Sequence, residues 1–280
     1  MRFGDYDCYP LDFGEFLVDG GIMFGIIPKI EWEQSVSADE KNRILLKSRS
    51  LLIQGNGKNI LVDTGYGSKL SDEIRDLHGV QSNPLDINLL LSGFELDCHQ
   101  ITDVILSHLH FEHAGGATKT FSNKVESTFP NAQYYVQNEQ WEYACNPHER
   151  DKNNYISDDF LPLNSSRQLQ FLEGSVPLFD GIEVMVTYGH TPAQQHVLVK
   201  GDDQSLFFCA DMIPTTDHIP IAYQASNDNR PLDHFPEKDY FLRKAIRENW
   251  VLFFQHDPKI VAATVKNGPK WVEFDREVVL

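Results

Sequence analysis

Residues 107–116 read Ser107-His108-Leu109-His110-Phe111-Glu112-His113-Ala114-Gly115-Gly116. Four groups able to bind a metal, His108, His110, Glu112 and His113, fall within six positions. In a tight loop His108 and His110 point to one side. Glu112 and His113 can then turn to a neighbouring position about 3.5 Å away, the usual separation of a two-metal site. Imidazole suits zinc and other first-row ions, and the carboxylate adds a harder ligand and negative charge. Gly115-Gly116 lets the following backbone approach closely. A polar surface loop is the plain alternative. Against it, three of the chain's 11 histidines stand here, directly after the apolar run Val104-Ile105-Leu106.

The same order, an apolar run and then a polar group, recurs along the chain. Short β-branched and aromatic runs predict strands over 59–63, 103–107, 132–136, 182–187, 196–200, 205–210 and 251–255. Helices are expected over 138–145 and over 236–250, where Tyr240, Phe241, Ala245, Ile246 and Trp250 recur at mostly three-to-four spacing. Asp63, His108, His190, Asp211 and His256 each come at or just after the end of such a run. Strands that share a sheet bring their ends to a common edge, so groups remote in sequence converge there. The alternation of elements predicts an α/β or α+β layered fold.

The 280 residues show no internal repeat or linker and are read as one domain over 1–280, with a substrate-site loop near 19–29 inside the segment 1–58. No apolar run approaches the roughly 18 residues that would span a bilayer. The acidic start, without the basic-then-apolar order of a signal peptide, points to the cytoplasm. Cys8, Cys98, Cys145 and Cys209 stand far apart and read as reduced thiols, Cys209 as core. A formal net charge of −17 opposes a nucleic-acid partner, whose phosphates demand a basic face. A neutral or cationic small-molecule substrate fits better, with no membrane partner. His78, His99, His148, His196 and His234 lack a partner motif and read as surface or hydrogen-bonded structure. His218, seven residues after Asp211, is a candidate for substrate contact.

Further motifs extend the pattern: Asp63-Thr64-Gly65, Gly189-His190-Thr191-Pro192, Ala210-Asp211 and His256-Asp257. With His-x-His-x-Glu-His, their order and spacing resemble the metallo-β-lactamase superfamily from about Leu61 to Asp257. The resemblance implies a four-layer αββα sandwich with metals at one edge of the paired sheets. It further implies that His108, His110 and His190 bind a first ion, and that Glu112, His113 and His256 bind a second. Asp211 would bridge both, and Asp63 would orient a ligand by hydrogen bonding. Two divalent first-row ions follow, zinc first, with manganese, iron or cobalt as alternatives. The superfamily nearly always has Asp where this chain has Glu112. The extra methylene moves the carboxylate by about 1.5 Å, whereas a metal–ligand distance tolerates only about 0.2 Å.

A metal pair lowers the pKa of a shared water and polarises a carbonyl or phosphoryl oxygen, which makes the chain a metal-dependent hydrolase. The segments 19–29, 211–218 and 250–258 resemble YtnP-like lactonases of the quorum-quenching type. That likeness implies ring opening of N-acyl-homoserine lactones, with Met23 and Phe24 as candidate walls for an acyl groove. Those lactonases often place a Tyr three residues after the bridging Asp. Here that residue is Pro214, which leaves Tyr223, His218 or Glu112 as candidate proton or hydrogen-bond donors. An organophosphate or phosphodiester hydrolase, or a non-catalytic metal-binding relative, is the alternative on the same scaffold. A homodimer is compatible with any of these readings.

Overall fold

The computed structural model describes residues 1–80 and 86–280. Among these, the strands run β1 Arg2–Phe3, β2 Tyr6–Asp19, β3 Arg43–Gly55, β4 Lys58–Val62, β5 Asp103–Ile105, β6 Thr118–Phe121, β7 Lys124–Ser127 and β8 Gln133–Gln137, followed by β9 Leu169–Leu172, β10 Val176–Phe179, β11 Ile182–Thr187, β12 Gln194–Val199, β13 Ser205–Phe208, β14 Trp250–Phe253, β15 Ala262–Asn267 and β16 Val272–Glu277. The helices are α1 Gly20–Phe24, α2 Lys29–Trp32, α3 Asp72–His78, α4 Ile87–Ser92, α5 Phe111–Ala114, α6 Asn138–Cys145, α7 Ser157–Ser165 and α8 Pro231–Arg247.

Two seven-stranded sheets result, in the orders β1-β2-β3-β4-β5-β8-β9 and β10-β11-β12-β13-β14-β15-β16, with β6-β7 as a separate hairpin. Side chains alternate across each strand, and both faces of both sheets are apolar. Ile60 and Val62 of β4 join Leu51, Ile53 and Ile105, and meet Val184, Val197, Leu206, Phe208 and Val251 of the other sheet in one buried layer. The opposite face of the first sheet, with Leu52, Leu61 and Val104, is covered by Leu91, Ala144, Phe160 and Leu163 of α4, α6 and α7. That of the second sheet, with Leu198, Phe207 and Leu252, is covered by Phe241, Leu242 and Ala245 of α8. Helix, sheet, sheet, helix: the αββα order expected from the sequence.

Strand direction sets the site. β4, β5 and β8 run parallel, as do β13 and β14. β11 points the same way as β13, because each is antiparallel to the β12 between them. The C-terminal ends of β4, β5, β11, β13 and β14 therefore carry Asp63, His108, His190, Asp211 and His256 toward one edge.

The segment near 19–29 contains α1, followed by a turn that enters α2 at Lys29. Asp19 Oδ1 accepts from the Gly21 and Ile22 amides and caps α1, since the first amides of a helix have no partner inside it. Helix α8 begins at Pro231, five residues before the predicted start. Pro236 lies within it and denies a donor to the Leu232 carbonyl, but Leu232 is 88% exposed and water can supply the bond. No helix among the described residues is long and apolar enough to cross a membrane.

Candidate metal centre

The segment 107–116 follows β5 and, after the loop that carries His108 and His110, enters α5 at Phe111. Its path is pinned by the Asp63 segment: Thr64 N donates to the His113 carbonyl (2.7 Å) and Gly116 N to the Gly65 carbonyl (3.0 Å). A Cβ on Gly115 would collide with Tyr66 O, and one on Gly116 with Thr64 O. Only glycine allows this approach. Asp63 (φ 59°), Ala193 (φ 53°) and Ala210 (φ 44°) hold left-handed backbone at the turns beside the ligands, a strain that concentrates at functional sites.

Two groups of side chains could hold ions: His108, His110, His190 and Asp211, and His113, Asp211 and His256, with the offered atoms in each within 4.8 Å of one another. Asp211 belongs to both. Its Oδ2 lies 3.4 Å from His190 Nε2, while Oδ1 lies 3.2 Å from His113 Nε2 and 3.1 Å from His256 Nε2. Imidazole nitrogens face each other across the groups: His108 Nε2 to His110 Nδ1 at 3.1 Å, His190 Nε2 to His110 Nδ1 at 3.3 Å, and His113 Nε2 to His256 Nε2 at 3.3 Å.

The outward ring nitrogens explain why the inward ones are free to ligate. His108 Nδ1 donates to Ser107 Oγ (3.0 Å), His113 Nδ1 to Asp63 Oδ2 (2.9 Å), His190 Nδ1 to Asp228 Oδ1 (2.8 Å) and His256 Nδ1 to the Lys47 carbonyl (2.7 Å). A neutral imidazole carries one N–H, so each of these four leaves a lone pair on Nε2. Asp211 Oδ1 is buried without a hydrogen-bond partner, as a carboxylate awaiting a cation would be. The donor set of imidazoles and one shared carboxylate fits two first-row ions.

The electrostatics divide the rings into two pairs. Burial and the neighbouring imidazoles push His108 and His110 well below the ordinary histidine value, so they are neutral ligands. Burial also opposes charge on His113 and His190, but Asp211 with Asp63 for the one, and Asp228 with Asp211 for the other, outweigh it and raise both, so an ion would displace a proton from these two rings. Asp211 is held well below the usual carboxylate range: burial would raise it, and His113 and His256 win.

Above the ligands lies a cavity of about 250 Å³. Its lining combines apolar Phe16, Val18, Ile22, Met23, Leu46 and Phe111 with polar His78, Arg150, Asp151, Asn153, Asn154 and Asn227. Glu112 lines the same cavity but belongs to neither ligand group, and its Oε2 is buried with no partner. Met23 is among the residues that line the cavity. Phe24 is not: it is sandwiched between Trp32 and His218, both with centroids at 5.1 Å, and is core. Nor does His218 reach the cavity. Its Nδ1 meets Thr215 Oγ1 (2.7 Å), its Nε2 donates to the Met23 carbonyl (2.9 Å), and burial brings it down to about 4. Tyr223 stands edge-on to Phe24 and also lies outside the cavity lining. Asp228 and the residues of β2 in the cavity lining carried no sequence signal, because their roles depend on partners tens of residues away.

A sandwich of two sheets with a shared-carboxylate histidine cluster at one edge is the frame of a metal-dependent hydrolase. The chain belongs to the metallo-β-lactamase superfamily, which it matches over residues 44–256. It is similar to the N-acyl homoserine lactonase AiiA of Bacillus thuringiensis subsp. kurstaki, 25% identical over 169 residues that cover 59% of this chain. The match spans only 58% of that relative's length. A probable metal-dependent hydrolase from Staphylococcus aureus superposes with a TM-score of 0.91 at 27% identity, covering 100% of this chain and 99% of that one. AidC, a dizinc quorum-quenching lactonase solved with a product bound, shares the fold with a TM-score of 0.81 at 20% identity, covering 100% and 97%.

Proposed function

We propose that the chain is a lactone-opening hydrolase for small neutral substrates with an apolar tail, such as N-acyl homoserine lactones. The observation that carries this reading is the mixed cavity lining, in which apolar Phe16, Val18, Ile22 and Met23 and polar Arg150, Asn153, Asn154 and Asn227 join His190, Asp211 and His256 of the ligand groups. A tail gains about 0.8 kcal/mol per methylene buried, while amides and a guanidinium can hold carbonyl oxygens. The names of similar proteins point the same way.

Two divalent ions held by His108, His110, His190, His113, His256 and a bridging Asp211 would supply Lewis-acid activation of water and of the carbonyl oxygen. The chain's own groups do the rest. Asp63, Ser107 and Asp228 hold the ligating rings in the tautomer that binds. In the reaction, water adds to the lactone carbonyl, the ring C–O bond breaks, and the departing oxygen takes a proton. We assign that transfer to Glu112, a half-buried residue of the cavity lining whose Oε2 has no hydrogen-bond partner among the described residues. Rates on a panel of acyl lactones, a phosphotriester and a phosphodiester test the reading. Faster turnover of the phosphotriester than of every lactone would overturn it.

A further inference from the structure

Helix α8 presents side chains at i, i+3 and i+4 to three loops of the site. Glu237 accepts from the amides of Tyr188 (2.8 Å) and Gly189 (2.9 Å), fixing the loop that carries His190. Lys238 Nζ donates to the carbonyls of Pro220 (3.1 Å) and Tyr223 (2.7 Å). His234 lies between them. Its Nδ1 approaches Asp228 Oδ2 to 2.9 Å, and its Nε2 donates to the Met212 carbonyl at 3.0 Å. Asp228 turns its other oxygen to His190 Nδ1, and Met212 directly follows Asp211. His234 and Asp228 are both buried. Gly189 packs so closely on His234 that any Cβ there would strike it.

We propose that His234 is a positioning residue of the first ligand group, setting the separation of His190 from Asp211. It does so by donating from Nε2 to the Met212 carbonyl while its ring packs against Asp228 and Gly189. The inference rests on reading that group as a metal site. The need for a strut follows from the topology. β11 and β13, which lead to His190 and Asp211, are separated by β12, so no shared ladder registers their ends, roughly 10 Å apart at ordinary strand spacing. Metal–ligand distances nevertheless tolerate only about 0.2 Å. A rigid ring with nitrogens on opposite sides spans the gap. Alanine would leave the Met212 carbonyl without its donor and remove the ring packed against Asp228 and Gly189, whereas a glutamine amide can restore the donor but not the ring.

The test uses wild type, His234→Ala, His234→Gln and, as a comparison, the exposed His99→Ala. Each protein is stripped with a chelator, then titrated with Zn²⁺ against a chromophoric competitor and with Co²⁺ followed by its visible spectrum. His234→Ala is expected to lose about 10- to 100-fold in affinity at one site, with an altered Co²⁺ spectrum there and the other site unchanged. His234→Gln should fall between it and wild type, and His99→Ala should match wild type. Two sites of wild-type affinity and spectrum in His234→Ala, or equal loss at both sites, would overturn the proposal. If His234→Ala does not fold, His234→Gln decides on the same readings. Wild type taking up no ion would instead remove the metal reading itself, and the proposal with it.

Discussion

Asp63→Asn isolates what one carboxylate contributes beneath the ligands. Asp63 is fully buried, and its oxygens accept three hydrogen bonds: Ser107 N on Oδ1 (2.7 Å), and Ser107 Oγ (2.7 Å) and His113 Nδ1 (2.9 Å) on Oδ2. Asn is nearly the same size and tolerates the φ of 59° at this position. Its amide, however, offers one acceptor side only. If the amide oxygen takes the Oδ2 place, its NH₂ opposes the Ser107 amide, and an unsatisfied buried donor costs about 1–3 kcal/mol. If it takes the Oδ1 place, the NH₂ faces His113 Nδ1. The ring must then move its proton to Nε2 and can no longer ligate. Either way the second group weakens, by the 10- to 100-fold typical of a lost partner behind a ligand, about 1.4–2.8 kcal/mol. Zinc titration of stripped protein should therefore show one site near wild-type affinity and one weakened. Equal, undiminished affinity at both sites in Asp63→Asn would refute the tautomer argument.

Four other outcomes follow from the same geometry. Asp211→Ala removes the carboxylate common to both groups and should lower bound metal at both and activity by about two orders of magnitude or more, read by elemental analysis and initial rates. Glu112→Gln should keep both ions while lowering kcat, because Glu112 lies outside both groups; loss of one ion would make it a ligand after all. Lengthening the acyl chain should raise kcat/KM up to about fourfold per CH₂ until the apolar wall is covered, and Met23→Ala should shorten that range, so an unchanged profile would remove Met23 from the wall. Burial lowers His218 to about 4 and His196 to about 3. The unfolded chain therefore binds protons that the fold refuses below pH 6.5, so stability present above pH 6.5 should fall as pH drops toward 4. A urea midpoint flat across that range would contradict it.

Much of the site was legible because its ligands are local or stand at strand ends. His108, His110 and His113 share one loop, and the runs before Asp63, His190, Asp211 and His256 are apolar enough to be read as buried strands. Burial of a strand depends on its own residues, so its end, and the polar group there, can be located from the chain alone. The long antiparallel pair β2–β3 was not legible in this way. Its alternation is broken by Pro10, Gly14 and a register shift between Asp12 and Glu15, and it holds because the partner strand supplies the ladder.

What the tertiary structure alone decided lies one contact further out. Asp228 meets His190 across 38 residues and His234 meets Met212 across 22, and nothing local distinguishes either from a surface polar residue. Phe24 and Met23 are adjacent in sequence, yet a short helix sends one into the core against Trp32 and His218 and the other to the cavity. His218, on a segment suggestive of substrate contact, spends both ring nitrogens on Thr215 and Met23. Glu112 stands in the ligand motif but outside both ligand groups. A residue's type limits the chemistry it can perform, and that much is written in the chain. Which atoms lie within about 3 Å of it, and so which chemistry remains open, is set by packing between segments that the sequence keeps far apart.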